Sequence, residues 1–371
     1  MHQLPFICGQ HQKRSIRLLP SLFRKRVSKR LLCLLAMPFA FALHALGQDG
    51  EWIVPQKTNV NASFRGIAVA NDNEVWVSGS GGIVIRTVNG GEKWSRIRIP
   101  ETADLDFRDI AVLENGVVLL MSAGAGDQSR VFRSSDGGEK WTTTLSNKDP
   151  VGFFNAFTFL DSRSGILIGD PIKGHLDVYR TSDGGATWVR EPGPPLQNGE
   201  YGFAASGTNV ASVAPNHLWV ATGGSIARVF RSSGDRKTWT PGNTPIAQGS
   251  ESTGIFSVAF RDPMHGIIVG GDYKNPSADD GNVARTADGG MTWTLADPRG
   301  KIPHKACVKH ISEKNWMTVG RTGVAISRDD GASWSRESQQ SYYTFDVNAK
   351  TLTGWMAGQD GRVARFVWPK N

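Results

Sequence analysis

The chain is short of cysteine. It has three, and two of them, Cys8 and Cys33, fall in an N-terminal leader whose removal would leave Cys307 alone. One thiol closes no intramolecular disulfide and makes no metal site by itself, so a small disulfide-stapled fold and a cysteine-ligated zinc site are excluded for the remainder. Net charge is also lacking where it would matter. The formal +8 comes from residues 1–47, which hold Lys13, Arg14, Arg17, Arg24, Lys25, Arg26, Lys29 and Arg30 and no acid; the rest of the chain balances 34 basic against 34 acidic residues. Basicity confined to a leader is no argument for nucleic-acid binding, and no nucleic-acid partner is expected. Beyond the leader there is no long apolar run, no convincing helical periodicity, no phosphate loop, no dinucleotide fingerprint and no nucleophile elbow. No cofactor is expected. His175, His217, His265, His304 and His310 are scattered; His304 and His310 flank Cys307, but one strand cannot turn all three to one face, so no metal is expected either.

The leader itself reads as an address. A basic run, Arg24–Arg30, precedes the apolar run Leu31–Leu46, which is shorter than the roughly 20 residues of a membrane span. Ala45 and Gly47 are small residues at the positions a signal peptidase reads, so 1–47 is expected to be a signal peptide cleaved after Gly47, delivering the protein to the periplasm or the medium. An uncleaved leader would instead anchor it; Pro38 and the polar stretch Gly47–Glu51 favour cleavage. Residues 48–371 are expected to form one domain, long enough to bury a core without staples.

What the chain has in abundance is repetition. "RTVNGGEKW" (Arg86–Trp94), "RSSDGGEKW" (Arg133–Trp141), "RTSDGGATW" (Arg180–Trp188) and "RTADGGMTW" (Arg285–Trp293) are one phrase, and "RSSGDRKTW" (Arg231–Trp239) and "SRDDGASW" (Ser327–Trp334) are worn copies. The closing tryptophans are 47, 47, 51, 54 and 41 residues apart, a period typical of β-propeller blades. Each period holds an apolar alternating run, a second run ending in Gly, a third reading V-x-R-[ST], and a fourth after the turn and Trp: four short strands. The turn chemistry accounts for the phrase. Asp tolerates a left-handed backbone and accepts N–H bonds from further round the turn; Gly supplies positive φ; Ser or Thr two residues earlier adds a side-chain bond; Trp covers the turn. Asp136, Asp183, Asp288 and Asp329 are accordingly structural, not catalytic. Six copies make six blades. Tyr342–Ala349, Leu352–Asp360 and Gly361–Trp368 supply three strands of a seventh, and Gly50–Gln56 is an orphan fourth strand with Trp52. The expectation is an all-β, seven-bladed propeller whose N-terminal strand joins the C-terminal blade and closes the ring.

These phrases resemble the Asp-box repeat (S-x-D-x-G-x-T-W), and the fuller run Trp76–Trp94 resembles the photosystem II stability/assembly factor family. "GDP" (Gly169–Pro171), "GEYGFAASGT" (Gly199–Thr208), "STGIFSVAF" (Ser252–Phe260) and "GGDY" (Gly270–Tyr273) are similar to bacterial relatives of that family. The resemblance spans about residues 50–368. It implies a seven-bladed propeller, a non-catalytic assembly role on a membrane complex, and an arginine-rich surface. Asp-box propellers also include sialidases, other glycosidases and binding modules.

An enzyme of sialidase type would need three arginines on a substrate carboxylate. Arg65 and Arg108 stand at inner-strand starts, but the later inner strands, read as "FFNAF", "GFAAS", "GIFSV", "ACVKH" and "YYTFD", offer no third. A different glycoside hydrolase would need two carboxylates, for which Asp170, Glu200, Glu251 and Asp272 lie near strand ends, Glu200 and Glu251 just before inner strands of adjacent blades. The longest loops are Arg190–Gly202, Thr240–Gly254 and Asp272–Asn282, and loops carry function on a rigid scaffold. The expected site is the face they share, with Asp170, Glu200, Glu251, Asp272 and Tyr273 on one side and Arg65 and Arg108 opposite. Its ligand is expected to be a protein partner or a glycan bound to a monomer.

Overall fold

The computed structural model describes residues 52–297 and 301–369; the expected signal peptide lies outside the described residues. Short alternating runs dominate, and they pair into seven antiparallel sheets. The first blade, blade I, shows how. Its second strand, Val75–Gly79, is buried on both faces, because alternate residues enter different apolar layers: Trp76 packs towards blade II, whereas Val75 and Val77 pack towards blade VII. The same division runs round the molecule. Seven apolar clusters fill seven blade-to-blade interfaces, which is how a sheet buried on both faces is stabilised.

Blade I comprises Phe64–Val69, Val75–Gly79, Ile83–Thr87 and Ser95–Ile97. Blade II follows with Phe107–Val112, Val118–Ser122, Arg130–Ser134 and Thr142–Ser146. Blade III has Phe154–Phe159, Gly165–Ile172, His175–Thr181 and Val189–Pro195. Blade IV has Val210–Val213, His217–Ala221, Arg228–Ser232 and Thr240–Asn243. Blade V has Thr253–Phe260, Gly266–Asp272, Val283–Thr286 and Thr294–Leu295. Blade VI has Cys307–Ser312, Asn315–Gly320, Gly323–Ser327 and Ser335–Ser338. Blade VII pairs Thr344–Val347, Thr353–Ala357 and Val363–Val367 with the N-terminal strand Ile53–Gln56, in register Ile53 to Phe366 and Gln56 to Val363. The ring is closed as the orphan strand foretold.

The repeated phrase is a clasp between blades. Within each turn the Ser or Thr hydroxyl donates to the Asp carboxylate, at 2.8 Å for Ser134 to Asp136, 2.8 Å for Thr181 to Asp183, 2.7 Å for Thr286 to Asp288 and 2.8 Å for Ser327 to Asp329. The carboxylate then accepts N–H groups at the far side of the turn, as Asp183 does from Thr187 at 2.9 Å. Gly137 and Gly138 both have positive φ, and a β-carbon added to Gly138 would lie 2.7 Å from the Trp76 ring of the preceding blade. From that blade Arg86 reaches back and donates to Gly137 O at 3.0 Å; Arg133 does the same to Gly184 O at 3.0 Å, and Arg180 to Arg236 O. In these three copies the opening Arg of the phrase ties its blade to the next blade's turn.

Candidate functional site

All seven inner strands run the same way along the channel, so it has a strand-start mouth and a strand-end mouth. The Asp-box turns sit beside the loops joining first and second strands, as Gly90 N donating to Asn73 O shows; that is the strand-end face. The strand-start face is built from the loops between second and third strands and from the links between blades.

One segment separates the two mouths. "GFAAS", read as the inner strand of blade IV, is not a strand: that strand begins at Val210. Residues 203–208 instead cross the channel. Arg65 Nη1 donates to Ala205 O at 3.2 Å and Arg108 Nη1 to Ala204 O at 3.0 Å. Ser206 Oγ donates to Ala306 O of blade VI at 2.7 Å, and Thr344 Oγ1 of blade VII donates to Ser206 O at 3.3 Å. Gly207 lies so close to Asp109 of blade II that a β-carbon would meet its carboxylate at 2.4 Å. Small residues are what allow the backbone to pass there. Thr208 Oγ1 donates to Ser257 Oγ of blade V at 2.7 Å, so the segment is a plug contacting five blades.

Below the plug the strand-end cavity, about 640 Å³, is lined by the ends of the inner strands. Two of its charged groups pair with each other: Lys309 Nζ meets Asp346 Oδ1 at 2.7 Å, and Asp346 Oδ2 accepts Val69 N at 2.8 Å. Asp109, whose carboxyl is pushed well up by burial, accepts the N–H groups of Ile110 and Phe157, both at 2.9 Å. These three groups spend their polar atoms on holding the channel together.

Above the plug the cavity is smaller, about 360 Å³, and chemically different. It is lined by Arg65, Arg108, Asp170, Glu251 and Tyr273, together with Arg321, His304 and the rings of Phe153, Tyr201, Phe203, Phe256 and Tyr343. Five of the seven residues expected at the site therefore meet in one cavity. Arg65 lies over the Tyr343 ring, 4.5 Å from its centroid; burial, then the neighbouring Arg108, lowers its pKa. Arg108 is held by Asp106 at 2.8 Å. Asp170 Oδ1 accepts Asn155 Nδ2 at 2.9 Å and Gly202 N at 3.2 Å, while burial raises its pKa above the usual carboxylate range. Exposed Glu251 is paired with Lys274, which keeps it ionised, and its backbone carbonyl accepts the Tyr201 hydroxyl.

Two expected members are elsewhere. Glu200 is fully buried, and both its oxygens are taken by Arg228, Nη2 at 2.5 Å and Nε at 3.0 Å, with Thr222 Oγ1 at 2.6 Å. It lies on the short strand Glu200–Tyr201, which pairs with Gly223–Gly224 and extends the blade V sheet, not before the inner strand of blade IV. It is a structural ion pair. Asp272 is outside the cavity lining and caps its own loop by accepting Lys274 N at 2.9 Å. Conversely, a third arginine does reach the mouth. Arg321 comes from the tight turn between Gly320 and Gly323 of blade VI, not from an inner strand; it is exposed and makes no ion pair or hydrogen bond among the described residues. His304, the other residue missed, is buried on the link into blade VI with its ring edge-on to Phe256 at 4.5 Å. Among the described residues no cluster of three or more His, Cys, Asp or Glu is placed to hold a metal, and Cys307 is buried and free.

Residues 49–158 match the family model described as Photosynthesis system II assembly factor YCF48. A search of curated protein sequences finds no match. Among solved structures, the chain is similar to YCF48 bound to D1 peptide (14% identity, TM-score 0.63, covering 87% of this chain and 99% of that one). It is also similar to YCF48 from Cyanidioschyzon merolae (17%, TM-score 0.61, 85% and 98%). A GH74 xyloglucanase from Xanthomonas campestris shares the fold at 17% identity and TM-score 0.54, with 81% of this chain covering 51% of that one. The chain is an all-β, seven-bladed Asp-box propeller that resembles the photosystem II assembly factor YCF48 family, with the sequence match carried by residues 49–158.

Proposed function

We propose that this is an exported, non-catalytic docking protein that holds a segment of a protein partner in the strand-start cavity. The observation that carries the reading is the convergence of Arg65, Arg108 and Arg321 with six Phe and Tyr rings above a plugged channel. Charged and aromatic side chains on a rigid concave frame are what anchor protein partners, and a propeller of similar fold is known bound to a peptide. Export rests on the basic and apolar runs of the leader; N-terminal sequencing of the protein from its host should begin at Gln48.

Docking is tested by capture from a host envelope extract with the chain from Gln48 onwards, run beside Arg65→Ala and Arg321→Ala. A discrete partner retained by the wild type and lost with either substitution is expected. Equal capture by all three, or none by the wild type, removes the reading.

A second reading, glycoside hydrolysis, is favoured by one observation. Asp170 and Glu251 line the same mouth, the first with its pKa raised by burial and the second kept ionised by Lys274, the divergence an acid and a base require. Release of reducing ends from xyloglucan or other β-glucans, abolished by Asp170→Asn, would establish it.

A further inference from the structure

The oddest polar group in the molecule is His304. Its side chain is 2% exposed, it lines the strand-start cavity, and neither ring nitrogen has a hydrogen-bond partner among the described residues. An unpartnered buried polar group costs stability and calls for a reason. Its surroundings are cationic and aromatic: the Phe256 ring meets it edge-on, and Lys305 and Arg321 are near enough for their charges to act on it. The Arg321 charge also reaches Arg65. Lys305 points away, into the turn that carries Arg321, donating to Thr322 Oγ1 at 2.9 Å and Gly323 O at 3.1 Å.

We propose that His304 is a ligand-contacting residue of this cavity and that, with Arg65 and Arg321, it takes a single carboxylate from the bound partner. The inference rests on the docking reading and names the chemistry docking uses. The charge count favours one negative charge over two. Arg108 is neutralised by Asp106 and Glu251 by Lys274, leaving Arg65 and Arg321, while Asp170 on the same lining disfavours a dianion such as a phosphate monoester. A carboxylate has two oxygens for a planar guanidinium and room for an imidazole N–H beside it. The aromatic rings then receive the adjoining apolar side chain.

A consequence distinguishes His304 from a passive wall. Burial chiefly, then the charges of Lys305 and Arg321, hold its pKa down to about 4, with Asp272 acting in the opposite sense. The free ring is thus neutral at pH 7. A carboxylate against it favours the imidazolium, so binding takes up a proton and strengthens as pH falls. Other ionisable groups lie nearby: Asp170, Glu251, Tyr201, Tyr273 and Tyr343 on the lining, Asp272 beside His304, and Lys305 behind the wall with its pKa lowered to about 7 by burial. The His304 contribution is the part of the pH dependence that a non-titrating replacement removes.

The test is calorimetric titration of the folded protein at pH 8 and pH 5.5. Three probes are used: an acetylated alanine tetrapeptide ending in phenylalanine with a free carboxylate, the same peptide as its C-terminal amide, and an amidated peptide with an internal glutamate. A terminal carboxylate source predicts binding of the first alone; a side-chain source predicts binding of the third. Binding of either is expected to tighten about tenfold between pH 8 and 5.5, which requires the carboxylate to lift the ring from about 4 back to its ordinary value of about 6.5. His304→Gln keeps an amide donor and is expected to bind at pH 8 within about threefold of wild type but to lose the tightening; His304→Phe is expected to weaken binding at both pH values. If Arg65→Ala abolishes binding while His304→Gln retains the full pH dependence, the role given to His304 is overturned and docking stands. If the wild type binds the amide as well as the two carboxylates, the carboxylate assignment fails. If it binds none of the three, both readings fail.

Discussion

The two faces of this ring are made by the same seven blades and by opposite rules. On the strand-end face the Asp-box turn recurs, each copy spending its polar groups within its own turn and on its neighbours. On the strand-start face each blade contributes something different: Arg65 from an inner strand, Tyr273 from the end of a second strand, Arg321 from a tight turn, Tyr201 from an inter-blade link, and the plug across the middle. Repetition marks the surface that holds the molecule together. Departure from it marks the surface with side chains to spare.

The comparison can be broken hardest at Glu200, an acid on the variable side that behaves as structure. Glu200→Ala leaves Arg228 largely buried without its anion and is expected to cost about 3–5 kcal/mol, read as a lower denaturant midpoint; an unchanged midpoint with weakened docking would return it to the site. Next come two glycines in similar conformations. Gly138 (φ 90°) in an Asp-box is pressed on Trp76, whereas Gly174 (φ 78°), in the loop between second and third strands of blade III, has nothing within 4 Å of an added β-carbon. Gly138→Ala is expected to cost about 3 kcal/mol from strain and displacement, Gly174→Ala about 1 kcal/mol from backbone strain alone. Equal losses would show that the clasp adds nothing beyond φ. The smallest effect is Asp183→Ala, about 1 kcal/mol for the lost turn bonds. Burial opposes ionisation of Asp183, but hydrogen bonds from Thr187 and Thr181 outweigh it and hold its pKa at about 2. Its stabilisation is therefore fully present above the ordinary Asp value near 4 and lost as pH falls through about 2. Wild-type stability should decline over that window more than the variant's, and parallel curves would deny the carboxylate its part.

How far the sequence could be read follows the same division. Blade number, strand order and ring closure were legible because a turn's chemistry is local and was written six times. Arg65 and Arg108 were legible as polar second residues of apolar inner strands. Arg321 was not, since "GRTG" is an ordinary tight turn and only the closure of the ring brings it opposite Arg65. His304 looked like one scattered histidine among five, because burial of its ring depends on Phe256, a residue of another blade. The plug misled for a physical reason: "GFAAS" has the alternation of a strand, but Arg65 and Arg108 occupy its carbonyls. Glu200 misled because its partner, Arg228, lies 28 residues downstream.

The pairing of Ile53–Gln56 with Val363–Val367 also sets an order of events. The first described strand has no sheet to join until the last has been made, and Thr58 donates to Gly361 O across 303 residues of sequence. Loop closure over such a span is slow and comes late. The earliest of the described strands to be made is the last to be placed. Until then the protein is an open arc with two bare edges, and removing either Ile53–Gln56 or Val363–Val367 would leave it that way.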